Sequence, residues 1–208
     1  MKKSLAFFII LVVIVLSVIF ILNNASSSDS IFKDPYTLFY GGDSRHFRAN
    51  LFEANKTPIY PNESSIKDVL LSPEVYKVYI AFIPNEKENS YYLADSFEIT
   101  NKLSLVYRYY ITGQTNTTRD TDGSSCLLFL EKGKAICFKS YPINSTSELV
   151  PTPVEPVILL LGPSNSNQTA VTVKNNEIIL EGKDFSQTDR NYNDLDLAVD
   201  KMLLVLMT

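Results

Sequence analysis

The chain has one histidine, His46, and it ends the one stretch where reactive groups gather, Gly41-Gly42-Asp43-Ser44-Arg45-His46. A serine hydrolase needs a hydroxyl, an imidazole and a carboxylate converging in space, so Ser44, His46 and Asp43 are the candidate catalytic set. The elbow pattern G-x-S-x-G is absent. Two glycines followed by Asp43 and Ser44 also suit a hairpin turn. The expectation is a turn without catalysis, with a hydrolase as the alternative.

Other chemistries are poorer still. One histidine and two cysteines do not make a zinc site within a single chain. Arg119-Asp120-Thr121-Asp122-Gly123-Ser124 resembles part of a calcium loop. With Gly123 at the sixth position the twelfth is Phe129, so the bidentate glutamate is missing. Asp120 and Asp122 remain as cation candidates in what reads as a solvated loop. Asp184, Asp189, Asp194 and Asp196 could also gather a hard cation, but acids before a helix favour its N-terminal dipole. Gly162-Pro163-Ser164-Asn165 follows an apolar run, as ligand loops follow strands in α/β sheets. It lacks the glycine pattern of a phosphate cradle, and proline removes an amide such a cradle uses, so a strand-ending turn is expected. No cofactor is indicated.

Cys126 and Cys137 flank Glu131-Lys132-Gly133-Lys134, which reads as a hairpin turn. A turn at Lys132-Gly133 would leave the cysteines diagonal, and one at Glu131-Lys132 would set them opposite. A disulfide in an oxidising compartment and two buried thiols both fit. With ten residues between them, a redox-active C-x-x-C motif is excluded.

The address is clearer than the chemistry. Residues 5–22 are apolar except for the mildly polar Ser17. As a helix they would rise about 27 Å, close to the roughly 30 Å hydrocarbon core of a bilayer. Lys2 and Lys3 precede the run and the first charge after it is Asp29, which predicts a cytoplasmic N-terminus and an extracytoplasmic C-terminus. A cleaved signal peptide is the competing reading. Against it, the run is long, and Asn23 stands where a small residue is wanted before a cut at Ser26. The expected organisation is a signal-anchor over residues 1–23, a flexible tether over 24–34 and one displayed domain over 35–208. N-x-S/T sequons at Asn24, Asn55, Asn62, Asn116, Asn144 and Asn167 agree with this address. Without Lys2 and Lys3 the chain carries 17 basic and 23 acidic residues, a formal −6. That sign disfavours nucleic acid as a partner. Membrane lipid around residues 5–22 and other envelope proteins are the expected partners.

The elements that must position these groups follow from periodicity. Residues 36–40 and 46–54 read as strands around the glycine turn, the second alternating Phe47, Ala49 and Leu51 with His46, Arg48 and Asn50. Ser64 or Ser65 opens a short helix through Leu71, ended by Pro73. Residues 75–83 form a central strand. Asp95 or Ser96 caps a helix to about Tyr110 with Ile99, Leu103, Val106 and Tyr110 on its core stripe. Residues 114–125 read as a polar loop and 141–156, with four prolines, as an extended surface segment. Residues 157–161 fit a strand buried on both faces. Residues 170–174 and 177–181 form a hairpin around Asn175-Asn176, which tolerate the positive φ of a type I′ turn. A helix from about Asp194 closes the chain with Leu195, Ala198, Val199, Met202 and Leu206 inward.

The order of Phe47-Arg48-Ala49 with Glu53-Ala54, Pro58-Ile59-Tyr60-Pro61, Ser96-Phe97-Glu98-Ile99 with Lys102-Leu103, and Asp196-Leu197-Ala198-Val199-Asp200-Lys201 resembles uncharacterised membrane-anchored extracytoplasmic proteins of archaea. That resemblance implies no activity and no functional residues. The fold expected is α/β (mixed α+β): a single mixed-sheet domain with two or three packed helices behind one N-terminal transmembrane helix. The function expected is a non-catalytic envelope accessory or recognition protein. The alternatives are the hydrolase and a small-ligand or cation-binding surface protein.

Overall fold

Aliphatic and β-branched residues fill both faces of the strands in the middle of the computed structural model, which describes residues 32–110, 115–119, 125–129, 134–140, 150–186 and 191–208. In β5 (Lys77–Phe82), Val78 and Ile80 join the main core, while Tyr79 and Ala81 pack on the other face with Ala135, Cys137 and Val157. Such two-faced burial belongs to parallel strands. β5 accordingly pairs in parallel with β8 (Lys134–Ser140) on one side and β9 (Val157–Leu161) on the other. The sheet continues through β11 (Glu177–Glu181) and β10 (Ala170–Lys174) to the two-residue edge strand β4 (Ile59–Tyr60). Its other side runs through β7 (Ser125–Phe129) to β6 (Thr115–Arg119), so eight strands form one mixed sheet. A separate antiparallel sheet holds β1 (Phe32–Asp34), β2 (Thr37–Tyr40) and β3 (Asp43–His46).

Four helices complete the described residues: α1 (Leu51–Ala54), α2 (Glu63–Leu70), α3 (Asn89–Tyr110) and α4 (Asp194–Met207). The pivotal one is α4. Asn193 caps it by accepting from the Leu195 and Asp196 amides, while the Asp196 carboxylate accepts from the Asn193 amide, a reciprocal capping box. Every residue of α4 is buried, because the large sheet, α1, α2 and α3 all pack around it. The layer of β1 to β3 and α1 covers it on the side away from the sheet through Ala49, Ala54 and Tyr36 against Tyr192 and Leu197.

A mixed α/β fold is therefore present, with several departures from expectation. There are two sheets rather than one, and four helices rather than two or three. Residues 46–54 are not a strand. β3 stops at His46, and Asn50 caps α1 by accepting from the Phe52 amide at 3.0 Å. Phe47, Ala49 and Leu51 are nevertheless all fully buried, so the alternation reported true burial without a ladder. Asn62, rather than Ser64 or Ser65, caps α2. α3 starts at Asn89, nearly two turns before Asp95 and Ser96, which are buried interior positions. Within the expected loop at 114–125, residues 115–119 pair antiparallel with β7. The type I′ hairpin is as expected, with φ of 50° at Asn175 and 63° at Asn176.

β7 and β8 set Cys126 directly opposite Cys137, the register of a turn centred on Glu131-Lys132. Cys137 is fully buried, and no free cysteine stands among the described residues. No helix among them is long and apolar enough to cross a membrane. Residues 1–31, which include the expected anchor, lie outside them.

Candidate functional site

Three elements bring charged side chains into the interior beneath the small sheet. α3 contributes Asp95, Glu98 and Lys102, spaced i, i+3 and i+7 and so on one face. α4 contributes Asp196 and Asp200, one turn apart. The β3–α1 connection contributes Phe47, Arg48 and Ala49. Arg48 Nη1 lies 2.7 Å from Asp95 Oδ1 and 2.8 Å from Asp196 Oδ1, and both carboxylates have side chains at 0% exposure. The Ala49 amide donates to Asp200 Oδ2 at 2.6 Å. Lys102 pairs with Glu98 and holds its ammonium 4.3 Å above the Phe47 ring. A second strap lies alongside, where buried Lys201 donates to Asn55 Oδ1 at 2.8 Å and Glu63 Oε1 at 2.6 Å, joining α4 to α1 and α2.

Four carboxyls, Asp95, Glu98, Asp196 and Asp200, thus meet two cations, Arg48 and Lys102. Three of those carboxyls, Asp95, Asp196 and Asp200, are buried, and burial opposes their all being ionised together. Burial pushes Asp200 up to about 8, with the Ala49 amide and Lys102 opposing and the charges of Glu98 and Asp196 reinforcing. Asp95 is also raised, first by burial and then by the Asp196 charge, against the pull of Arg48. Asp200 Oδ1 has no hydrogen-bond partner among the described residues, and a hydrogen bond to the Asp196 side chain adds to the rise at Asp95. The centre clamps α3, α4 and the β3–α1 connection together. Its three aspartates are buried, while the Arg48 side chain remains 31% exposed.

A second polar cluster closes the carboxyl ends of β5 and β9. Glu88 Oε1 accepts from the Ser164 amide at 2.9 Å and hydroxyl at 2.6 Å. Its Oε2 accepts from the Tyr92 hydroxyl at 2.6 Å, and the Tyr92 oxygen accepts from the Gly162 amide at 2.9 Å. Burial and then the Glu88 bond raise the Tyr92 phenol above its ordinary range. Gly162 starts a turn in which its carbonyl accepts from Asn165 and Ser166, the strand-ending turn expected. The crevice where an α/β sheet often takes a ligand is filled here by Tyr92 stacked on Phe82, with Phe185 against it. A Cβ at Gly162 would stand 2.7 Å from Phe185 Cζ, 2.8 Å from Glu88 Oε2 and 2.9 Å from the Tyr92 oxygen. Gly162→Ala is therefore expected to cost about 1–3 kcal/mol through overpacking, read as a melting temperature several degrees lower. An unchanged melting temperature would show that the loop yields freely.

The expected catalytic set does not assemble. Strand alternation puts Ser44 and His46 on one face of β3, and Asp43 and Arg45 on the other. Asp43 pairs with Arg45 at 3.0 Å, and the His46 ring lies 6.0 Å from Tyr36. Gly41 and Gly42, at φ of 63° and 85°, make the turn before them. Asp120 and Asp122 lie outside the described residues, as does Asp189. Asp184 accepts from Ser186, Asp194 accepts from Thr169 at 2.7 Å, and Asp196 serves the cap. A shallow cleft of about 380 Å³ beside α1 is lined by Glu53, Lys56, Thr57, Pro58, Thr169 and Leu197. Two of its polar groups already serve the fold, since Glu53 accepts from the Tyr192 hydroxyl and Thr169 donates to Asp194.

Sequence reasoning missed the buried charge centre. The available signal was a polar pair, Asp196 and Asp200, spaced i, i+4 inside a helix whose mean character is apolar. Read alone, that pair marks a solvent face. No protein-family model, no curated protein and no solved structure matches this chain.

Proposed function

We propose that this chain is a single-pass membrane protein whose α/β domain stands on the extracytoplasmic side and works without catalysis, as an accessory or recognition partner of other envelope proteins. The apolar run of residues 5–22 behind Lys2 and Lys3 supports the tether. Cys126 and Cys137 are taken as a disulfide of the oxidising side, on the strength of their opposed register. The observation that carries the non-catalytic reading is the inward direction of the reactive groups. Asp95, Asp196 and Asp200 are all 1% exposed or less and are spent on binding Arg48, the α4 cap and the Ala49 amide.

The test is a comparison of the intact protein with His46→Ala on ester, peptide and glycoside substrates. The expected outcome is the same background rate for both. Hydrolysis that disappears in a folded His46→Ala protein would establish the hydrolase instead. A melting temperature raised by calcium would favour the cation-binding alternative, because a native-state ligand must stabilise.

A further inference from the structure

Three sequons are described together with their side chains, and the fold treats them differently. An enzyme that reads N-x-S/T must reach both the asparagine amide and the hydroxyl two residues on. In Asn55-Lys56-Thr57 the hydroxyl residue is buried, Thr57 being 7% exposed, and the Asn55 carboxamide oxygen accepts from the buried Lys201 ammonium. In Asn167-Gln168-Thr169 the asparagine is exposed, but the Thr169 hydroxyl is half-buried and donates at 2.7 Å to Asp194, a partner outside the sequon. In Asn62-Glu63-Ser64 both ends are exposed. The Ser64 hydroxyl donates to Asn62 Oδ1 at 2.8 Å, and the Ser65 amide donates to the same oxygen at 3.1 Å. The helix cap therefore uses the carboxamide oxygen and leaves the nitrogen, where a glycan attaches, pointing away from the α2 amides.

We infer that Asn62 is the N-glycosylation acceptor of the folded domain, in preference to Asn55 and Asn167. This rests on the extracytoplasmic reading above. The co-reactant is a polyprenyl-phosphate-linked or polyprenyl-diphosphate-linked oligosaccharide. Asn62 Nδ2 forms a bond to the anomeric carbon and gives up one proton, while the bond from that carbon to the phosphate oxygen breaks and the lipid phosphate leaves with the electron pair. The site has a physical consequence for the fold. Asn62 stands two residues beyond β4, which pairs with β10 alone and ends one side of the large sheet. Tyr60 on that strand is 53% exposed. Open sheet edges invite pairing with other chains, and a glycan rooted there would crowd the approach.

The test uses protein purified from its native membranes, with peptide mass spectrometry over the three sequons. In parallel, sealed cells are treated with a membrane-impermeant amine reagent to report which side the domain lysines face. The expected result is a glycan mass at Asn62, none at Asn55 or Asn167, and loss of that mass in both Asn62→Gln and Ser64→Ala. Ser64→Ala keeps the Asn62 cap, so it separates loss of the acceptor motif from loss of the helix cap. A bare Asn62, or a glycan at Asn55 or Asn167, with lysines labelled from outside overturns the acceptor assignment and leaves the membrane topology standing. Lysines protected from the reagent, with no glycan, overturn both.

Discussion

Asp200→Asn is expected to melt well above the wild-type protein at pH 8, and the gap is expected to close as the pH falls towards 4. Asp200 sits in the fold near 8 against an ordinary 3.8. Below 3.8 the side chain is protonated whether folded or not, and it contributes no pH dependence. Between 3.8 and about 8 the unfolded chain releases the proton and the folded chain keeps it. Stability therefore falls as pH rises through that window, by up to about 1.4 kcal/mol per pH unit. Allowing for relaxation of the site, the total is on the order of 3–5 kcal/mol, or roughly 10 °C for a chain of this length. Asparagine can still offer an oxygen to the Ala49 amide and has no proton to lose. Melting curves of both proteins from pH 4 to pH 9 provide the check. A difference that does not vary with pH would mean that Asp200 is not held protonated.

Arg48→Met is expected to cost about 3–5 kcal/mol, the loss seen when one partner is removed from a buried ion pair. Methionine keeps an apolar stem of similar length and deletes the guanidinium that touches both Asp95 and Asp196. The cost should arise mainly from stranding those two carboxylates. Adding Asp95→Asn should therefore return part of the stability, so that the double variant is more stable than the sum of the single losses predicts. Chemical denaturation of the three variants measures this coupling. Strict additivity would show that Arg48 acts through packing alone.

Local signals announced the parts of the fold that local physics builds. Asn175-Asn176 prescribed a turn, and the residues on either side alternate and pair as that turn requires. The apolar runs of β5 and β9 identified the buried middle of the sheet. Failures came where a distant element decides. Asp196 and Asp200 lie away from the apolar face traced through Leu195, Ala198 and Met202, a placement that helical periodicity by itself associates with water. They are dry because a layer from the other end of the domain lies over them. β6 is polar throughout, Thr-Asn-Thr-Thr-Arg, and is a strand because β7 pairs with it at an edge, where periodicity carries little information. The failure of Ser44, His46 and Asp43 to converge was readable once those residues were in a strand, since neighbouring side chains point to opposite faces.

The complete burial of α4 bears on the order in which the molecule can be built. The Ala49 amide and the Asp200 carboxylate that bind each other are 151 positions apart in the chain. A ribosome adding roughly 5–20 residues per second would need on the order of ten seconds to span that interval. During it the β1 to β3 layer and α1, α2 and α3 wait without the helix they pack on. Such long-range closure makes for slow folding and for transiently exposed apolar surface. A chain assembled in this order leaves the apolar faces of its early half uncovered until the helix arrives.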